Sequence, residues 1–88
     1  MMIMAKIEIY TQDFCPYCAR ALKLLRGKGV EFEEIYAPNG SDARKAARER
    51  SGGKTSVPQI FIDGKSIGGS DELAALERAG KLDPLLAA

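Results

Sequence analysis

The chain contains no histidine and no tryptophan. Lacking histidine, it has no Ser-His-Asp or Cys-His arrangement and no imidazole metal ligand. Charge of neither sign dominates: 13 Lys+Arg stand against 12 Asp+Glu, a net of +1. No global field draws the protein toward nucleic acid or an acidic surface. Long apolar runs are also missing. None approaches the ~18 residues of a transmembrane helix. The apolar start Met1-Met2-Ile3-Met4 has neither the basic flank nor the long apolar stretch of a secretory signal. The expectation is a soluble, cytoplasmic protein with no membrane or nucleic-acid partner. At 88 residues the chain is shorter than the ~100–200 residues of an average domain. Residues 1–88 are therefore expected to form one domain around one core. Disorder is not expected, because hydrophobic residues make up 45% and the net charge is small.

Cysteine is scarce, and its placement is informative. There are two, Cys15 and Cys18, in Cys15-Pro16-Tyr17-Cys18. A disulfide-stapled secreted domain carries more cysteines, farther apart. A pair this close holds no distant segments together. Four other marks help place it. Residues 5–10 read as a strand that Thr11-Gln12-Asp13-Phe14 should break. Cys18, Ala21, Leu22 and Leu25 recur at helical spacing, so a helix runs from the cysteines to about Lys28. Residues 30–36 alternate, with Val30, Phe32 and Glu34 on one side and Glu31, Glu33 and Ile35 on the other. Ser41 caps a basic helix to about Arg50, whose apolar face is only Ala43, Ala46 and Ala47.

Residues 57–62 make the strongest strand signal, and Asp63-Gly64 is a hairpin turn leading to residues 65–67. Gly68-Gly69 precedes a helix capped by Ser70 or Asp71, with Leu73, Ala75, Leu76 and Ala79 as its apolar face. Leu82, Leu85 and Leu86 form an apolar tail. The order β-α-β-α-β-β-α predicts an α/β fold: a four-stranded mixed sheet with helices on both faces. Its first two strands should be parallel.

Cys-x-x-Cys at the start of a helix that follows a strand is a redox signature. Free backbone N–H groups and the positive end of the helix dipole stabilise a thiolate there. Cys15 precedes the helix and faces those groups, so it is the expected nucleophile. Cys18 lies on the apolar stripe and is the expected resolving thiol. Competing readings are half of a zinc site, two reduced structural cysteines, and a static disulfide. A zinc site needs four ligands, and a static disulfide suits an oxidising compartment.

Four stretches taken together carry a resemblance: Cys15-Pro16-Tyr17-Cys18, Ser56-Val57-Pro58-Gln59-Ile60-Phe61-Ile62, Gly68-Gly69-Ser70-Asp71-Glu72-Leu73, and Gly80-Lys81-Leu82-Asp83-Pro84-Leu85-Leu86. In this order and spacing the chain resembles a glutaredoxin of the bacterial dithiol type. The resemblance implies a thioredoxin-like fold and an oxidoreductase that takes electrons from glutathione. Its substrates would be disulfide-bearing or glutathionylated proteins. It implies a cis Pro58 that turns the Val57 backbone toward bound glutathione; the plain alternative is that Pro58 starts a strand. Gly69, Ser70 and Asp71 would hold the γ-glutamyl end, or serve only as a helix cap. Arg44 would meet the glycyl carboxylate, or lie on a solvated helix face. Tyr17 would pack on the tripeptide, or be plain surface.

Two positions depart from the family pattern: Gln12 stands where many relatives carry a lysine that helps bind glutathione, and Ser56 replaces the usual threonine. No metal is expected, and a monomer is. The alternatives are a glutaredoxin-like donor reduced by thioredoxin reductase and a dimer holding an iron–sulfur cluster through Cys15 and glutathione. Relatives that hold such a cluster usually lack a proline at the position of Pro16.

Overall fold

β-Branched and aromatic residues crowd residues 7–11 and 59–62, and these become the two inner strands of the sheet. The computed structural model describes residues 5–87; the apolar start at residues 1–4 lies outside them. The elements run β1 (Ile7–Thr11), α1 (Pro16–Gly27), β2 (Glu33–Tyr36), α2 (Asp42–Arg50), β3 (Gln59–Ile62), β4 (Lys65–Gly68), α3 (Ser70–Arg78) and α4 (Leu82–Ala87). The sheet has four strands in the order β2-β1-β3-β4. β1 pairs parallel with β2 and antiparallel with β3, and β3 with β4 forms the hairpin. Asp63 (φ 51°) and Gly64 (φ 80°) have the two positive φ angles of a two-residue hairpin turn. All residues of β1 and β3 are buried, whereas β2 and β4 are largely exposed edges.

The period of two along the inner strands divides the core. Ile7, Ile9, Ile60 and Ile62 face one side, against Ala21, Leu22 and Leu25 of α1, Leu73 of α3 and Leu82 and Leu86 of α4. Tyr10 and Phe61 face the other, with Ala37 and with Ala47 of α2. Arg50 closes that second side. Its Nη1 and Nη2 donate to Glu8 Oε2 and Oε1 at 3.1 and 2.9 Å, and Nη1 also donates to the Tyr10 hydroxyl at 2.9 Å. The guanidinium lies 4.1 Å from the centre of the Phe61 ring. At the far end of α1, Lys28 Nζ bridges Glu77 of α3 and Asp83 of α4 at 2.6 and 2.9 Å.

Six expectations need correction. Thr11 continues β1 instead of breaking it, because its backbone still pairs with Tyr36 of β2. β2 begins at Glu33, not residue 30. Val30 and Phe32 do pack on the core, but alternation reports which way side chains face, not whether the backbone is paired. β3 begins at Gln59, because Pro58 has no N–H for a ladder. α3 is capped by Gly69, not Ser70 or Asp71, and Ala75 and Ala79 are exposed. At ~100° per residue they lie well round the helix from Leu73. The apolar tail is a helix, α4. Its Leu82 and Leu86 are buried one turn apart, and Pro84 sits in the first turn, where proline is tolerated.

Candidate active site

β1 delivers the chain to Gln12-Asp13-Phe14, and Phe14 takes a left-handed conformation (φ 55°). Cys15 then occupies the N-cap of α1 in extended conformation, with Pro16 in the first turn. The Cys15 sulfur accepts the Cys18 N–H at 3.2 Å, the role an oxygen plays in most N-caps. The thiol also donates to the Val57 carbonyl at 3.8 Å. Cys15 is half-buried and Cys18 buried, and both are free thiols.

Burial pushes the Cys18 thiol up to about 12, and its hydrogen bond with Cys15 pushes the same way; the Gln12 backbone opposes, and the Glu34 carboxylate adds to the rise. At neutral pH Cys18 is therefore a protonated thiol beneath an accessible Cys15. That asymmetry suits attack by Cys15 and later resolution by Cys18.

Tyr17, Ser56, Val57, Pro58, Gly69, Ser70, Asp71 and Glu72 line one cleft of about 290 Å³. The Val57–Pro58 peptide is cis, as the resemblance implied. Seven of the anticipated binding residues thus share one cleft with the Cys15 end of α1. Its two walls touch closely, for a Cβ at Gly69 would lie 3.3 Å from the Pro58 carbonyl oxygen. Behind the cleft Gln59 is buried, and its side-chain amide donates to the Ser56 carbonyl at 2.9 Å and to the Ser56 hydroxyl at 3.3 Å. This holds the loop that carries Val57. The Gln59 Oε1 is buried without a hydrogen-bond partner.

Gln12 and Arg44 lie apart from that cleft and meet each other. Arg44 Nη1 donates to Gln12 Oε1 at 2.8 Å and to the Ala37 carbonyl at 3.0 Å. Its Nε and Nη2 donate to the Thr55 carbonyl at 3.2 and 2.9 Å. Arg44 is half-buried and not simply a solvated helix face: four of its five N–H groups brace three segments, one of them next to Ser56.

Gly69 lines the cleft and heads α3. Its N–H donates to Glu72 Oε1 at 2.6 Å and is not open to a ligand. The N–H groups of Ser70 and Asp71, at the start of α3, have no intrahelical acceptor by position. Glu72 was missed: with glycine at the N-cap only the Glu half of a capping box is present, and a glycine there gives no side-chain signal. Placing the cap at Ser70 or Asp71 hid it further. Gly68 is required here, because it has φ 109° and a Cβ on it would strike Glu72 Oε1 at 2.7 Å. Thr55 and Ala37 enter through backbone carbonyls, which leave no mark in a sequence.

Among the described residues no group of three or more His, Cys, Asp or Glu side chains is placed to hold a metal ion, and no helix is long and apolar enough to cross a membrane. Residues 7–67 match the family model described as Glutaredoxin. A probable glutaredoxin of Synechocystis is 57% identical over 86 residues, covering 98% of each chain. Glutaredoxin 3 of Escherichia coli is 53% identical over 83 residues, covering 94% of this chain and 99% of that one. Among solved structures, the glutaredoxin of Brucella melitensis superposes with a TM-score of 0.82 at 51% identity, covering 96% and 90% of the two chains. A buckwheat glutaredoxin–glutathione complex gives 0.82 at 33% identity, covering 93% and 76%. A cysteine pair at the head of α1, a thioredoxin-like sheet around it and these likenesses along nearly the whole chain lead to one assignment: the chain belongs to the glutaredoxin family of thiol–disulfide oxidoreductases.

Proposed function

We propose that the protein reduces protein disulfides and glutathionylated cysteines with electrons from glutathione, using Cys15 as nucleophile and Cys18 as resolving thiol. The observation that carries this reading is the position of Cys15 Sγ. It lies between the Cys18 N–H at 3.2 Å and the Val57 carbonyl at 3.8 Å, at the edge of the cleft bounded by the start of α3. The buckwheat neighbour, solved as a glutathione complex, supports the choice of tripeptide.

Each residue then has a task. As Cys15 ionises it stops donating to the Val57 carbonyl. That carbonyl and the Val57 N–H are then free to pair with the cysteine backbone of glutathione as an added strand would. The Ser70 and Asp71 N–H groups receive the γ-glutamyl carboxylate, and the Asp71 carboxylate receives its ammonium. Tyr17 packs beside the tripeptide, and Ser56 and Gly69 shape the walls. Gln12, with its acceptor oxygen held by Arg44, presents its amide N–H to the glycyl carboxylate, and Arg44 fixes that orientation.

Cys15 thiolate attacks the glutathione sulfur of a mixed disulfide, forms Cys15–S–S–glutathione and releases the protein thiolate, which takes a proton from solvent. A second glutathione thiolate attacks that bond, leaves as glutathione disulfide and restores Cys15. With a protein disulfide, Cys15 forms a mixed disulfide. Cys18 then loses its proton and displaces the protein, closing Cys15–Cys18, which two glutathiones reopen. The reading includes a cytoplasmic location, a monomer and one glutaredoxin domain over residues 1–88.

The test is turnover of a glutathione mixed disulfide with glutathione, glutathione reductase and NADPH. Wild type should turn over, Cys15→Ser should be inactive, and Cys18→Ser should keep substantial activity. An inactive wild type that thioredoxin reductase nevertheless reduces would overturn the glutathione assignment.

A further inference from the structure

Cys15 lines one cleft and reaches a second through its hydrogen bond to the Val57 carbonyl. The glutathione cleft lies on the Val57 and α3 side. The other, about 600 Å³, is lined by Cys15 itself, with Gln12, Asp13, Phe14, Cys18 and Glu34 among its walls. Phe14 immediately precedes the nucleophile and is 102% exposed. Its φ of 55° is one that a bulky residue rarely adopts. A strained backbone that holds an aromatic ring wholly in water adds nothing to the core, and such outliers gather at binding sites. Tyr36, also exposed, donates its hydroxyl to Asp13 Oδ2 at 3.0 Å.

The ionisable side chains of this cleft other than the two thiols are acidic, Asp13 and Glu34. The other flank of Cys15 is different in kind, for Tyr17 there has the Arg20 guanidinium 5.4 Å from its ring centre. Beyond the Gln12 amide, which meets the glycyl end of glutathione, the Asp13 and Glu34 part of this cleft disfavours the tripeptide, which carries two carboxylates and one ammonium. It favours a cationic ligand.

We propose that this second cleft receives the polypeptide strand bearing the target cysteine of a protein substrate, with an apolar side chain beside that cysteine against Phe14 and a lysine or arginine facing Asp13 and Glu34. The proposal rests on the glutathione reading and adds the chemistry of the protein partner. When Cys15 attacks a glutathionylated peptide, the new bond joins Cys15 to the glutathione sulfur. The bond that breaks is the one to the peptide sulfur, which departs as thiolate. Glutathione keeps the Val57 side, and the departing peptide occupies the Phe14 side.

The experiment uses the intact protein and three substrates: cysteine–glutathione mixed disulfide and two glutathionylated peptides of equal length. Each peptide carries leucine next to its cysteine; one is flanked by lysines, the other by glutamates. Wild type should favour the lysine peptide about tenfold in kcat/KM at low salt, a gap that closes at about 0.5 M salt. Phe14→Ala should lower kcat/KM for the lysine peptide by about tenfold and lower its ratio to cysteine–glutathione several-fold. Turnover of cysteine–glutathione with equal rates on the two peptides overturns the docking proposal alone, as does an equal loss on peptide and small substrate in Phe14→Ala. A wild-type dimer that Phe14→Ala dissolves seats a second copy in the cleft and also overturns it. No turnover of any of the three removes the glutathione reading and this proposal together.

Discussion

The two faces of the sheet are held by different forces. On one face, aliphatic residues of β1 and β3 pack against three helices in a dry core. On the other, α2 offers only Ala47 as a buried side chain, and the face is completed by Tyr10, Phe61 and the Arg50–Glu8 pair. Tyr10 and Phe61 meet edge to face, with ring centres 5.6 Å apart, the arrangement aromatic quadrupoles favour. Where a helix is too poor in apolar residues to bury a face alone, guanidinium groups do the joining. Arg50 ties the end of α2 to β1. Arg44, near its start, ties it to the loops beside the active site. The poorer face therefore depends on directional contacts that fail one at a time, while the richer one fails through lost volume.

The comparison can be broken most directly from the dry side. Leu25, wholly buried, changed to Ala should cost about 3 kcal/mol through lost transfer energy and a cavity, read as a lower denaturant midpoint. Arg50→Met should cost about 2 kcal/mol, because the Glu8 carboxylate stays nearly buried without its partner. Glu8→Leu added to Arg50→Met should recover most of that loss, since an apolar pair of similar size does not strand a charge. Failure of the double variant to recover would mean that the face relies on the shape of Arg50 over Phe61, not on the ion pair.

Acid sharpens the same point. The Arg50 hydrogen bonds and charge hold the Glu8 carboxyl below its ordinary value. A carboxylate depressed on folding contributes stability that is complete above its unfolded value of about 4.3 and is lost as pH falls through the lower folded value. Denaturant midpoints measured from pH 7 down to 3 should fall more steeply in wild type than in Arg50→Met.

Arg44→Met tests the function of the poorer face more than its stability. Freed from Arg44, Gln12 and Thr55 lose their fixed positions, and KM for glutathione should rise several-fold with kcat little changed; a fall in kcat alone would remove Arg44 from the brace. Smallest of all should be Lys28→Met on the dry side. It loses two exposed ion pairs, and the slight fall in melting temperature it causes should vanish in high salt.

Much of this was legible in the residues. The helical stripe of Cys18, Ala21, Leu22 and Leu25 is the buried face of α1. Asp63-Gly64 is the hairpin turn, and Cys15 heads its helix. These features obey periodicity or local turn chemistry, which act over a few residues. Arg44 was harder, because its partners are a side chain 32 positions away and two backbone carbonyls 7 and 11 positions away. A basic residue on a helix carries no sign of what its guanidinium will reach. The cap of α3 was read as Ser70 or Asp71, one or two residues late, because Gly69, Ser70 and Asp71 are all competent caps. The choice was made by Glu72 reaching back to the Gly69 N–H.

The sequence by itself determined the order of the first seven elements, the buried faces of α1 and of the inner strands, and the sulfur chemistry at the head of α1, because each follows from contacts between near neighbours along the chain. Only the tertiary structure decided that the Val57 carbonyl lies 3.8 Å from Cys15 across 42 residues, that Gln12 is held by Arg44, and that an exposed phenylalanine and two carboxylates border a second cleft. Those juxtapositions come from β3 lying antiparallel beside β1 and β2 parallel on its other side, and strand pairing joins segments whose local patterns carry no record of their partners.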